Sequence, residues 1–172
     1  LTAGTYTCTV TDVNGCTVSS NATVLQPAAA LTITTTPSTN VSCNGGNNGT
    51  ATVTVIGGTP GYTYLWSNGQ TTNPATNLTA GTTYTCTVTD ANGCQITSPN
   101  ISVTQPTALT ISLSTTLISC FGGNGTATAS VSGGAGGYTY LWNPGGQTTN
   151  PATNLTAGTY TCTVTDVNGC TV

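Results

Sequence analysis

The sequence contains no Lys, no Arg and no His, so no side chain carries a positive charge. Its only acidic side chains are three Asp residues, and the net charge is −3. Nucleic-acid binding depends on cations that neutralise phosphates, and attraction to anionic membrane surfaces depends on the same residues. We therefore expect no nucleic-acid partner and no membrane insertion.

The same absences argue against catalysis. General acid–base chemistry uses His, Lys or a tuned pair of carboxylates, and a Ser or Thr nucleophile needs a base beside it. Here the carboxylates come one per repeat and no such base is present. Eight Cys without a His or a compact CxxC pair also do not fit an ordinary zinc site. The chain is therefore predicted not to be an enzyme and to hold no cofactor or metal.

What the sequence does contain is Thr, which accounts for 44 of the 172 residues, and apolar residues in short alternating runs. Thr is β-branched, favours strands and stays hydrated through its hydroxyl without charge. Hydrophobic residues make up 36% of the chain, too many for disorder caused by low hydrophobicity. An all-β protein with a hydroxyl-covered surface is predicted.

The chain is built from internal repeats. "AGTYTCTVTDVNGC" at residues 3–16 returns unchanged at 157–170 and as "AGTTYTCTVTDANGC" at 80–94. The long period is 154 residues and the basic unit is 77–79 residues. The chain opens and closes inside the repeated phrase, which indicates a piece of a longer protein. Module edges fit best at the short Gln-Pro linkers, giving part of a module (1–27), a complete module (28–106) and most of another (107–172).

Short alternating strands with regular turns predict a β-sandwich for each module. In residues 49–57, Ala51, Val53 and Val55 fall on one face and Thr residues on the other. The stretch 67–81 is weak and rich in turn residues. Six or seven strands are expected in the complete module, within residues 30–36, 49–57, 62–66, 82–90 and 94–105.

Each unit contributes three Cys, which leaves a choice of pairing. Cys43 and Cys94 both lie at strand ends beside Gly, where a disulfide causes little disruption. We predict the pairs Cys43–Cys94 and Cys120–Cys170, with Cys16 bonded to a preceding module. The alternative is Cys43–Cys86, which would resemble an intersheet disulfide. Disulfides of this kind are typical of an extracellular setting.

The other residues with chemical potential each have two interpretations. The mid-strand cysteines Cys8, Cys86 and Cys162 are buried apolar residues or links between chains. Turn formation is favoured over calcium binding for the aspartates, which are Asp12, Asp90 and Asp166.

The aromatic residues fall into two groups with the same ambiguity. Two clusters could stack on sugar rings but fit a core better: Tyr62, Tyr64 and Trp66, and Tyr138, Tyr140 and Trp142. Tyr84, two residues before Cys86, is also placed like the Tyr of a tyrosine corner in immunoglobulin-like sandwiches.

The order of these phrases resembles a known family. "CNGGNNGTATVTVIGGTPGYTYLWSNG", then "NLTAGTTYTCTVTDANGC" and a "QP-x-AL" step, is similar to the SprB-type repeat of large cell-surface adhesins of gliding Bacteroidota. The resemblance implies an Ig-like β-sandwich, export by type IX secretion, and a role in surface adhesion and gliding motility. It also implies an aliphatic residue where this chain has Cys8, Cys86 and Cys162.

A structural role is therefore the favoured function: a stalk or fibre segment of an extracellular, cell-surface adhesin or filament, made of tandem Ig-like modules. Its expected partners are neighbouring modules, other copies of itself in a filament, and surface glycans. The alternative is a carbohydrate-binding module, with ice binding by flat Thr arrays ranked below it.

Overall fold

The computed structural model describes all residues 1–172, and its regular structure consists of β-strands alone. It contains no helix long and apolar enough to cross a membrane. We call residues 1–27, 28–106 and 107–172 the first, central and third segments. The all-β class predicted from the alternating sequence is confirmed.

The first segment is a single antiparallel hairpin. Strand β1 (Gly4–Thr11) pairs with β2 (Thr17–Val24) from Gly4 opposite Val24 to Thr11 opposite Thr17. No second sheet covers either face. As a result Val10 is 60% exposed.

The central segment forms two layers of strands. One layer joins β3 to β5 and β4 to β7, and β5 continues β4 after the single residue Thr52. The other layer has the order β10, β9, β6. Strand β8 comes just before β9 in the chain, separated from it by Thr85, and pairs with β11. The strands are β3 (Thr32–Thr35), β4 (Gly49–Ala51), β5 (Val53–Ile56), β6 (Thr63–Trp66), β7 (Ala75–Leu78), β8 (Thr83–Tyr84), β9 (Cys86–Thr89), β10 (Gln95–Thr97) and β11 (Ile101–Ser102).

Apolar side chains from both layers meet in one core. Alternation places every second residue of a strand on the inner face, and Tyr84, Cys86 and Val88 all lie there with 5% exposure or less. Trp66 is the largest fully buried side chain of this core. The cluster consists of Val41, Ala51, Val53, Trp66, Ala75, Leu78, Tyr84, Cys86, Val88, Ile101 and Val103. Burial of this apolar surface is what stabilises the sandwich.

The third segment repeats this arrangement with fewer strands. One sheet has the order β12, β13, β15 and the other pairs β14 with β16. Only the start of a β10 counterpart is present, as an isolated bridge between Thr165 and Thr171, and residues 107–172 contain no counterpart of β11. The core cluster is correspondingly smaller. The strands are β12 (Thr110–Thr115), β13 (Gly125–Ser132), β14 (Thr139–Asn143), β15 (Ala152–Leu155) and β16 (Thr161–Thr165).

Strand β7 lies within residues 67–81, the stretch that is rich in turn residues. Its Ala75 and Leu78 are fully buried, yet no alternating pattern marks it. The side chain of Asn73 explains the irregularity, because its amide donates to the carbonyl oxygen of Val53 and its oxygen accepts from the Val53 N–H. A side chain here takes the place of a strand backbone, and Asn77 adopts a left-handed φ of 54°.

The repeat supplies a matched pair of variants for the core. Val88→Ala removes buried methyl groups and should lower the free energy of unfolding by about 2–3 kcal/mol. Val10→Ala alters the same phrase in the exposed hairpin and should change it by less than about 0.5 kcal/mol. Urea unfolding followed by Trp fluorescence measures both. Equal effects of the two substitutions would contradict the observed difference in burial.

Candidate functional site

Each aspartate organises the turn that leads to a cysteine. In the central segment, one carboxylate oxygen of Asp90 accepts hydrogen bonds from the backbone N–H groups of Asn92 and Cys94, each at 2.9 Å. Its other oxygen accepts from the N–H of Thr59, also at 2.9 Å. The turn therefore fixes where Cys94 leaves the sheet.

The third segment repeats this turn and the first repeats part of it. Asp166 accepts from the N–H groups of Asn168, Cys170 and Ala135. Asp12 accepts from the N–H groups of its own turn, those of Asn14 and Cys16. Thr59 and Ala135 lie in the loops that join the two layers of strands, and the hairpin has no such loop.

These bonds change the acidity of the two enclosed carboxyls. The N–H of Thr59 is the largest influence that lowers the pKa of Asp90, assisted by those of Cys94 and Asn92, while burial acts in the opposite direction. The N–H of Ala135 lowers the pKa of Asp166 in the same way. Both carboxyls are therefore charged at neutral pH, where the charged form is the better acceptor.

One disulfide, between Cys43 and Cys170, joins the central segment to the third, with their Cα atoms 5.7 Å apart. This corrects the predicted pairs, because Cys43 is bonded to Cys170 rather than to Cys94 or Cys86, and Cys120 is a free thiol.

The predicted pairs fail because the two cysteines of each sandwich lie at opposite ends of it. Cys94 begins the last strand region and Cys43 lies beside its end, where Gln105 contacts the Cys43 loop. The pairing of β10 with β9 and of β11 with β8 carries the chain along the sheet between these two positions. A disulfide needs its two Cα atoms within roughly 7 Å, so the two ends are not bridged.

Hydrogen bonds surround the disulfide and hold the linker between the segments. Asn168 donates its side-chain amide to the carbonyl oxygen of Ser42 at 2.9 Å. Asn44 donates to the carbonyl oxygen of Pro106 at 3.0 Å, and the Gly45 N–H donates to the side-chain oxygen of Gln105 at 2.8 Å. We call this assembly the junction: the loop 42–45, the linker 105–106 and the turn 168–170. The linker and the disulfide together connect the two segments at two points.

The remaining cysteines differ in accessibility. Cys86 lies opposite Trp66 in the β6–β9 pairing and has no exposed surface, and burial raises the pKa of its thiol. Cys162 holds the same place in the third segment but is half-buried, and burial raises its pKa too. The exposed free thiols are Cys8, Cys16, Cys94 and Cys120.

The tryptophans are core residues and present no face for a sugar. Trp66 and Trp142 are each 1% exposed, and their indole N–H groups donate to the carbonyl oxygens of Thr72 and Thr149. The tyrosines of the two clusters are half-buried: Tyr62, Tyr64, Tyr138 and Tyr140.

Tyr84 closes a short loop within its own strand connection. Its hydroxyl donates to the carbonyl oxygen of Thr79 at 3.2 Å and accepts from the N–H of the same residue at 3.1 Å. The geometry is that of a tyrosine corner.

No group of three Cys or Asp side chains comes together that could hold a metal ion. The chemistry that these side chains do support is thiol–disulfide exchange.

Thiol labelling should follow the accessibility of the free cysteines. In the native protein at pH 8, a maleimide should modify Cys8, Cys16, Cys94 and Cys120 rapidly and Cys162 more slowly. Cys86 should react only after unfolding, because its sulfur is enclosed and its thiol stays protonated. Mass spectrometry of chymotryptic peptides at several times measures this, since the chain offers trypsin no cleavage site. Early modification of Cys86 would contradict its place in the core.

Stability should respond to pH only in acid. The pKa values of Asp90 and Asp166 lie below that of an unfolded Asp, about 3.9, so the unfolded chain binds protons first as pH falls. Their contribution is fully present above about pH 5 and is lost as pH falls through the folded-state pKa. We expect a constant Tm from pH 5 to 8 and a falling Tm below, measured by circular dichroism.

The control for this pH profile replaces the charge and keeps an acceptor oxygen. The double substitution Asp90→Asn and Asp166→Asn should lower the Tm at pH 7 and reduce the fall in Tm below pH 5. A Tm that moves by several degrees between pH 5 and 8 would show that other groups control stability.

One family model matches the chain, and it does so twice. The model is that of the SprB repeat, and it matches residues 35–71 and 112–147. No curated protein sequence matches the chain significantly. The matches begin at the end of β3 and within β12, and each ends in the turn after the Trp strand, before the turn that holds the Asp and the Cys. The resemblance indicated by the sequence is confirmed at these two places in the chain.

Proposed function

We propose that this chain is a load-bearing stalk segment of an extracellular surface adhesin or filament. The SprB repeat is a structural repeat of surface proteins rather than an enzyme family, and the disulfide fits an oxidising environment outside the cell. Adhesion, gliding motility and type IX secretion extend this proposal and follow from the family resemblance.

The disulfide is the observation that carries the proposal, because it changes how tension passes along the chain. Tension applied at residues 1 and 172 runs from Cys43 directly to Cys170 through the sulfur–sulfur bond. The chain between them, a sequence separation of 127 residues, then bears no load. Both sandwich cores lie almost wholly within that protected loop.

The surface suits the same role. The exposed strand faces carry mostly Thr, and with three carboxylates and no cation the chain has little charge to repel a neighbouring copy. Tandem modules of this kind form a linear array in which each contacts its neighbours. Self-association into a filament and contact with surface glycans are parts of the proposal.

Single-molecule stretching tests the proposal directly. With handles on the termini that do not use thiols, the oxidised chain should extend by only the residues outside the protected loop. Addition of a reductant should lengthen the final extension by roughly 400 Å, since an extended residue spans up to ~3.5 Å.

The matched control is the double substitution Cys43→Ser and Cys170→Ser. It should show the long extension without reductant, whereas Cys8→Ser should behave as the unmodified chain. Equal extensions of the oxidised chain and the Cys43→Ser/Cys170→Ser variant would remove the basis for a load-bearing role.

A further inference from the structure

The loop and the turn that form the junction each have a counterpart elsewhere in the chain, and these two counterparts are not bonded to each other. The loop around Cys120 is the counterpart of the loop around Cys43, and each begins with a Ser-Cys pair followed two residues later by Gly-Gly. The turn that holds Cys94 is the counterpart of the turn that holds Cys170, and the Asp turns match hydrogen bond for hydrogen bond. Cys94 and Cys120 are both exposed free thiols.

We propose that the Cys120 loop of one copy docks on the Cys94 end of a second copy and forms a Cys120–Cys94 disulfide there. The inference rests on the proposed stalk function and deepens it by naming the surfaces through which copies join. The occupant is a second copy of this chain. At the junction, the chain already places the counterpart of this loop, around Cys43, on the counterpart of this turn, around Cys170.

The receiving surface is a cleft of about 290 Å³ at the Cys94 end of the central segment. Its lining includes Pro27, Leu31 and Cys94, the counterparts of Pro106, Leu109 and Cys170 in the junction. Gln26 also lines it and matches Gln105, whose side-chain oxygen accepts from Gly45. The acceptor for the backbone of a docking loop is therefore already present.

The hydrogen bond across the disulfide has its partners as well. Asn168 donates to the Ser42 carbonyl in the junction, and Asn92 and Ser119 are the matching residues. In this chain the Asn92 amide donates instead to Thr59 within its own segment, at 2.7 Å. Docking would exchange that exposed hydrogen bond for the one seen at the junction.

The loop also carries an exposed apolar residue that its counterpart lacks. Phe121 stands where the junction has Asn44, and its side chain is fully exposed. The cleft is lined by Pro27, Ala29, Ala30 and Leu31, so an aromatic ring can bury apolar surface there. Asn44 instead makes a polar contact with Pro106. The two kinds of contact would therefore differ in chemistry while sharing their disulfide.

The sequence period agrees with this pairing. Cys43 and Cys170 are 127 residues apart in the sequence. In a tandem array with the 154-residue period, the separation between Cys120 and the Cys94 of the next repeat differs from this by only one residue. Within a single copy Cys94 and Cys120 are both free, so each is left to pair with a cysteine of another copy.

Bond formation requires an oxidant, which we take to be a small-molecule disulfide. The Cys94 thiolate attacks one sulfur of the oxidant and releases one thiol, giving a mixed disulfide. The Cys120 thiolate then attacks the Cys94 sulfur and releases the second thiol. Two protein thiols are oxidised, one disulfide is reduced to two thiols, and both protons pass to the released thiolates.

Mixing two partners that each keep one exposed free thiol tests the pairing. In a Cys8→Ser/Cys16→Ser background, one chain also carries Cys94→Ser and the other Cys120→Ser, with an N-terminal tag on one to distinguish their masses. After equilibration in reduced and oxidised glutathione, we expect the heterodimer in roughly tenfold excess or more over the two homodimers on a non-reducing gel. Random pairing would give only about half of the dimers as heterodimer.

The Phe121 contact is tested in the same assay. Phe121→Ala in the Cys94→Ser chain should reduce the heterodimer several-fold, and Val13→Ala, an equally exposed apolar position, should leave it unchanged. Chymotryptic peptide mapping of the heterodimer must contain the Cys120–Cys94 bond.

A heterodimer yield at or below the random fraction, with Cys43–Cys170 intact in both chains, overturns this inference and leaves the stalk proposal standing. Absence of Cys43–Cys170 from the oxidised protein overturns both.

Discussion

The structure depends on a buried carboxylate that accepts three backbone N–H bonds. Asp90 and Asp166 tie the end of one sheet to the loop that joins the two layers, at Thr59 and Ala135, and fix the direction in which the next cysteine leaves the turn. A disulfide tolerates little error in the distance and direction of its two Cβ atoms. The hydrogen bonds of Asp166 therefore position Cys170 for the disulfide that links the two segments.

The repeat explains how small sandwiches become a connected array. A core built on fewer than 80 residues buries limited apolar surface, and such domains commonly rely on covalent links. Here the disulfide crosses the boundary between segments instead of closing one of them. It therefore restricts the position of one sandwich relative to the next as well as limiting the unfolded chain. An intersheet disulfide would have stabilised each unit alone and left the linker free to bend.

The sequence predicted the parts that depend on local periodicity and missed those that depend on distance. Alternation identified the inner faces, including Tyr84, Cys86 and Val88, because a strand side chain points to the side that its parity dictates. It missed β7, where the Asn73 side chain replaces a strand partner, and it mispaired the cysteines. The clue to the pairing was the Gln-Pro linker, because a linker brings the end of one sandwich next to the start of another.

One phrase in three surroundings shows what a sequence leaves undetermined. The valine of "CTVTD" is 60% exposed at Val10 and fully buried at Val88 and Val164, and the cysteine two residues earlier ranges from exposed to buried. The strand and its turn form in all three places, since they depend on local bonds such as those of Asp12 and Asp90. Burial depends on whether a second sheet is present. Secondary structure is therefore a property of the phrase, whereas core packing and thiol reactivity are properties of the array in which the phrase is placed.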